Sequence, residues 1–354
     1  ARFSASGFFV HTPWGPRKSG MRESVEIPAP VSTTTREARV TRSAARSTAS
    51  SPGPACGNGG ATQAPSDGRP YVDAAGRSVT IPENPTRVVT LAEGALDAAL
   101  ALHVTPVGST AGRGQLGIPG YLAGATPGAS SIPIVASTRS PNLGQILKVR
   151  PDLIVVDDTT GSRNSLDDLA KIAPTVLVAK YAQGWERYFG AMATILNRPD
   201  QHKRVLGEIS AMIAATGKLV AAAPGAKPLT ASVVRWSSEG PTIVGGNSLS
   251  SWVLGKVGMT RPQAQERINS RNRAGEKVSM ENLDLIDADY IFFGVLGNAE
   301  QAHKELDAAR RKPGFNALRA VKAGHVYPVD GTPWTSGTGP LGVEAILHDI
   351  DTAF

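Results

Sequence analysis

Asn142–Val156, NLGQILKVRPDLIVV, and Ser279–Phe293, SMENLDLIDADYIFF, follow one plan 137 positions apart. Each opens on a polar residue and runs through a short helix whose Ile146 and Val149, or Leu283 and Ile286, turn inward. Each then places an acid, Asp152 or Asp289, before a buried strand. A helix feeding a strand apolar on both faces is the local signature of a parallel sheet covered by helices on each side.

The pattern extends outward in both directions. Arg87–Leu91 (RVVTL) reads as a strand followed by the helix Glu93–Leu102. Leu153–Val156 is followed by the helix Ser165–Ile172 and the strand Thr175–Val178. The second half repeats the order with strand Ser232–Arg235, helix Ser248–Val257, and strands Tyr290–Phe293 and Val326–Val329. Between the halves, Leu206, Ile209, Ile213 and Val220 recur at helical spacing and predict one long helix over Pro199–Ala223. The predicted fold class is therefore α/β: two Rossmann-like lobes with mostly parallel sheets, joined by one long helix, with a ligand cleft between their carboxyl strand ends. The expected limits are a tail at 1–70, an N-terminal lobe at 71–196, the connecting helix at 197–225 and a C-terminal lobe at 226–354. A short hairpin is expected at 71–81, turning at Ala75-Gly76.

Composition narrows the function. The net charge of +7 lies mostly in residues 1–55, which hold eight Lys/Arg against three acids; the remainder is nearly balanced. A basic tail without aromatic interleaving argues against nucleic acid. No uninterrupted apolar run approaches the length of a bilayer span. A single cysteine, Cys56, rules out an internal disulfide framework. It stands in PACGNGG at the head of a Gly-rich stretch, which resembles the start of a mature bacterial lipoprotein. Gly53 departs from the aliphatic residue usual there, and an incidental cysteine remains the alternative.

The ordered set Arg87–Gly108 (RVVTLAEGALDAALALHVTPVG), Asn142–Val156, Lys171–Val178 (KIAPTVLV), Val278–Phe293 and Gly324–Trp334 (GHVYPVDGTPW) resembles the iron-siderophore and vitamin B12 family of substrate-binding proteins. The resemblance implies an extracytoplasmic receptor, lipid-anchored or periplasmic, working as a monomer. It would hand a ferric siderophore to an ABC permease and its ATPase, with no cofactor of its own. It also implies one acid per lobe docking on permease arginines. Glu281 stands at the C-lobe position, where a carboxylate favoured by the helix dipole is the alternative reading. The N-lobe counterpart is Gly144, a departure from the family pattern.

A ferric siderophore exposes oxygens of partial or full negative charge around the iron, so its receptor needs guanidinium or phenol donors and aromatic walls. The candidates at predicted strand ends are Arg113, Arg139, Arg163, Tyr121, Trp334 and the pair Arg235-Trp236. Alternation along a strand sends only one of that pair into the cleft unless the turn at Ser237–Gly240 bends the chain. Trp236 and Trp334 also fit a core. An Ala- and Gly-rich body with few cleft arginines leans to hydroxamate. Six scattered histidines without ligand spacing argue against a bare metal ion, while haem and cobalamin stay as alternative ligands.

Enzyme readings fail on context. Gly112-x-Gly114-x-x-Gly117 runs into Pro119, and Gly337-x-Gly339-x-x-Gly342 lacks an acid about 20 residues on. Gly246-Asn247-Ser248 lacks the closing glycine of a nucleophile elbow. Asp157-Asp158 reads as a turn or helix cap. An α/β enzyme using the same cleft is the competing class.

Overall fold

A computed structural model of the chain describes residues 68–137, 140–158, 161–180, 183–225, 228–269 and 275–354. Its strands are β1 (Gly68–Val72), β2 (Ser78–Pro82), β3 (Val88–Thr90), β4 (Gly108–Thr110), β5 (Ile134–Ser137), β6 (Ser140–Pro141), β7 (Leu153–Val156), β8 (Thr175–Leu177), β9 (Ala231–Ser237), β10 (Gly240–Ile243), β11 (Glu276–Lys277), β12 (Tyr290–Gly294) and β13 (Val326–Pro328). The helices are α1 (Glu93–Ala101), α2 (Gly120–Ala125), α3 (Leu143–Lys148), α4 (Leu166–Ala170), α5 (Trp185–Ile195), α6 (Pro199–Ala222), α7 (Leu249–Lys256), α8 (Gln263–Asn269), α9 (Ala299–Ala309), α10 (Pro313–Asn316), α11 (Arg319–Ala323), α12 (Gly331–Thr335) and α13 (Pro340–Ala353). The expected hairpin is β1–β2, paired antiparallel through the turn at Gly76.

Two sheets result. The N-terminal one has the order β6-β5-β4-β3-β7-β8 and is parallel except for the edge strand β6; the C-terminal one has the order β11-β10-β9-β12-β13, with β9, β12 and β13 parallel.

The internal echo holds down to single atoms. Asp152 Oδ2 accepts from the amide and hydroxyl of Thr86 at 2.7 and 3.0 Å, just ahead of β3. Asp289 Oδ2 accepts from the amide and hydroxyl of Thr230 at 2.8 and 2.7 Å, just ahead of β9. In each lobe the acid before one buried strand ties down the start of the neighbouring parallel strand.

Alternation on these strands divides the core into three. Val88, Leu153, Val155, Val233, Tyr290 and Phe292 belong to one apolar cluster shared by both lobes and by α1, α5, α6, α7 and α13. Their neighbours Val89, Ile154 and Val156 point to the outer side of the N-terminal sheet, and Val234, Ile291 and Phe293 to the outer side of the C-terminal sheet.

The long helix α6 has the length and composition of a bilayer span. In this fold it links the lobes, burying Val205, Ile209, Thr216 and Val220 on one face and exposing Glu208 and Lys218 on the other. The last helix departs from the expected division of the chain. Although α13 follows the C-terminal sheet in sequence, it packs on α1 and α2 of the first lobe as well as on α6, α7 and α12. The shared core and this returning helix brace the two lobes.

Candidate functional site

The carboxyl ends of β4, β9, β12 and β13 meet where the loop after β4 crosses from one lobe to the other. Gly112 N bonds to Gly117 O at 2.9 Å and closes that loop into a tight turn. Gly114 sits at its tip with φ +70°, and a Cβ there would stand 2.3 Å from the carbonyl oxygen of Leu296 in the second lobe. Only glycine allows that approach. Gln115 then donates from Nε2 to Thr332 Oγ1 at 2.9 Å, and its Oε1 accepts from Gly120 N at 3.1 Å. The glycines of the first dinucleotide-like motif thus build an interlobe bridge.

Two arginines, one from each lobe, lie within range of each other's charge. Arg113 is paired with Glu93 at the start of α1: its amide donates to Oε1 at 2.7 Å and its Nε lies 3.2 Å from Oε2. Burial holds Glu93 above the usual carboxylate range, against the pull of Arg113. Arg235 projects from β9, half-buried, and its guanidinium has no hydrogen-bond or ion-pair partner among the described residues. Burial first, and then the positive charge of Arg113, depress its guanidinium below its ordinary value. A half-desolvated cation whose dominant charged neighbour is another cation is incomplete without an anion. Around it the site can offer Arg235 in full and Arg113 in part, since Glu93 already takes some of the latter's donors.

Arg235 lies on the face of β9 that carries Val233, toward the shared core side, whereas Trp236 takes the opposite face. The expected turn exists, at Ser238-Glu239, but it follows β9 and leaves the strand regular through Ser237. Trp236 is accordingly 4% exposed and packs on Phe293 and Phe315 at 5.3 and 5.4 Å. Its assignment to the cleft is corrected: it is a core residue of the second lobe. Trp334 is corrected likewise. It is fully buried on α12, stacked 4.2 Å from Phe292, and its Nε1 donates to Asp349 at 2.7 Å. Neither indole has surface left for a ligand.

Tyr121 faces the other side of the bridge. It borders a cavity of about 610 Å³ together with Met212, Asp330, Leu341, Glu344 and Asp349. Burial raises all three of those carboxyls. Acid walls suit an iron complex with anionic oxygens poorly, so the arginine side is the better ligand site. The Tyr121 hydroxyl is already committed, donating to Asp97 Oδ2 at 2.9 Å. Asp97, on α1 and fully buried, also accepts from the amides of Leu341 and Gly342 at 3.0 and 2.9 Å, the first turn of α13. A Cβ on Gly339 would come within 2.2 Å of the Asp97 carboxyl carbon, so this glycine is required for the docking. The second glycine motif therefore seats a helix on a buried aspartate.

Of the remaining candidates, Arg163 is exposed on the turn Gly161–Ser165 beyond β7. Arg139 and Cys56 lie outside the described residues. Glu281 is exposed just ahead of the turn Leu283–Ile286, and Gly144 occupies the equivalent place in α3. Asp157 is buried and accepts from Tyr188 Oη at 3.4 Å. Among the described residues no cluster of His, Cys, Asp and Glu could hold a metal ion. Sequence reasoning missed Glu93 and Asp97; the available signal was two acids one turn apart in the otherwise apolar run EGALDAALAL.

Comparison with known proteins agrees with this architecture. The periplasmic binding protein family pattern matches residues 89–332. The probable siderophore-binding lipoprotein YfiY of Bacillus subtilis is 28% identical over 288 residues, covering 79% of this chain and 86% of its own. The Fe(3+)-citrate-binding protein YfmC of the same species is 29% identical, covering 83% and 88%. Among solved structures, Staphylococcus aureus SirA complexed with staphyloferrin B superposes with a TM-score of 0.64 at 27% identity, over 80% of this chain and 96% of that one.

Proposed function

Since the chain belongs to the periplasmic binding protein family, we propose that it captures a ferric siderophore outside the cytoplasmic membrane and delivers it to an ABC permease, binding without turnover. The observation that carries this reading is Arg235, half-buried at the end of β9 with no acid among the described residues to neutralise it and with the charge of Arg113, from the other lobe, acting on it. Guanidinium donates several directed hydrogen bonds and stays charged, which suits oxygens grouped around a ferric ion. The iron keeps its siderophore ligands; the protein reads their outer oxygens. Relatives named for siderophore and ferric citrate binding support the same ligand class.

Within that class, hydroxamate oxygens carry enough negative charge to accept from both arginines, and added carboxylates would gain further from the paired cations. Glu281 serves as the C-lobe contact for the permease. Cys56 carries the lipid that keeps the receptor at the membrane, in keeping with relatives named as lipoproteins.

Arg235→Ala tests the assignment. Loss of a charge-assisted hydrogen bond costs about 1.5–3 kcal/mol, so affinity for the ferric complex should fall at least about tenfold. Thermal stability of the ligand-free protein should stay the same or rise, because a desolvated cation is removed. A variant that binds as tightly as the parent would exclude Arg235 from the site.

A further inference from the structure

Two residues beyond Arg113 in the chain begins one wall of an open groove of about 700 Å³ in the first lobe, lined by the apolar Leu116, Ile134 and Leu143 together with the polar Gln115, Ser140 and Asn142. Three of these side chains are exposed to an unusual degree for their kind: Leu116 completely, Ile134 to 37% and Leu143 to 38%. Apolar side chains gathered around one depression, rather than scattered singly, mark a contact surface. The groove is continuous with the ligand site through the chain itself. The turn closed by Gly112 and Gly117 carries Arg113, whose charge reaches Arg235, while Leu116 of the same turn forms the groove wall. Gln115, which also lines the groove, anchors that turn to Thr332 of the second lobe. A molecule seated on Arg113 is therefore within one short loop of a groove whose exposed apolar side chains are Leu116, Ile134 and Leu143.

We propose that this groove holds an apolar extension of the ligand, so that the receptor prefers ferric siderophores bearing an alkyl or acyl chain over the same iron-binding head without one. The inference rests on the ferric-siderophore reading above and adds a second, uncharged recognition element to it. Along the groove, Leu116 and Leu143 supply the contacts that an alkyl chain would desolvate, and the arginines fix the head. Each methylene moved from water onto such a surface is worth roughly a fourfold gain in affinity.

The probes are ferrioxamine B acylated on its free amine with either an acetyl or an octanoyl group. The two complexes share charge and iron chemistry and differ only in chain length. Fluorescence titration of the full chain should show the octanoyl complex binding about tenfold or more tighter than the acetyl complex. In Leu116→Ser/Leu143→Ser the ratio should shrink to within about twofold. Equal affinity of the two complexes for the parent protein would overturn the groove assignment and leave the ferric-siderophore reading standing, as would an unchanged ratio in the double variant. Binding of neither complex would overturn the groove proposal together with the hydroxamate part of the reading beneath it.

Discussion

Asp97→Ala probes the joint between the lobes. In the parent, this buried carboxyl accepts from two backbone amides of α13 and from the Tyr121 hydroxyl. Alanine leaves those donors without an acceptor in a site closed to water, at about 1–3 kcal/mol each and on the order of 3 kcal/mol together. For a body of this size that lowers Tm by about 5 °C. The loss should depend on pH in a defined direction. Burial pushes Asp97 up to about 7, against the opposing pull of the Leu341 and Gly342 amides and of Tyr121. Its folded value is thus raised above the ordinary carboxylate value, so the folded protein holds the proton more tightly than the unfolded chain. That stabilisation is complete at acid pH and is lost as pH rises through 7, by about 1.4 kcal/mol per unit over the window between the two values. Thermal unfolding of parent and variant from pH 5 to pH 8 should therefore show the widest Tm gap at pH 5 and less than half of it at pH 8. A gap that is constant, or that widens toward pH 8, would mean that Asp97 does not hold its proton more tightly in the folded protein than in the unfolded chain.

Two further perturbations separate core from site and site from docking. Trp236→Ala and Trp334→Ala each empty a fully packed position and should cost about 3–5 kcal/mol by denaturant unfolding, while the folded fraction still binds the ferric complex; a stable variant with lost binding would return either indole to the ligand site. Glu281→Ala should leave ligand affinity unchanged yet slow cellular uptake of the ferric complex, and transport at the parental rate would remove Glu281 from the permease contact.

Much of the fold was legible because its elements are fixed locally. The strand at Leu153–Val156 and its echo at Tyr290–Phe293 are short, wholly apolar and bounded by the same acid, and their partners Thr86 and Thr230 stand just before the strands they start. Strand alternation sends Arg235 and Trp236 to opposite faces, and β9 obeys it; the charge that an anionic oxygen needs is what puts Arg235 first. The errors at Trp236 and Trp334 share one cause. An aromatic at a strand end can line a cleft or close a core, and the choice depends on what covers it: Phe315 against Trp236 and Phe292 against Trp334 come from other parts of the chain. The role of Asp97 was hidden for the same reason, since its partners Leu341 and Gly342 lie more than 240 residues away. Spacing reveals a face; only the fold reveals what lies against it.

Binding of a ferric siderophore is the function assigned to the cleft. Its most direct test is quenching of tryptophan fluorescence in the full chain, titrated with ferric hydroxamate, carboxylate and catecholate siderophores, their iron-free forms, haem and cobalamin, with each ligand recovered and analysed afterwards. A siderophore receptor gives saturable one-site quenching by at least one ferric siderophore, weaker binding of its iron-free form, and recovery of the ligand unchanged. Saturation by haem or cobalamin alone, or chemical conversion of the bound ligand, would contradict it.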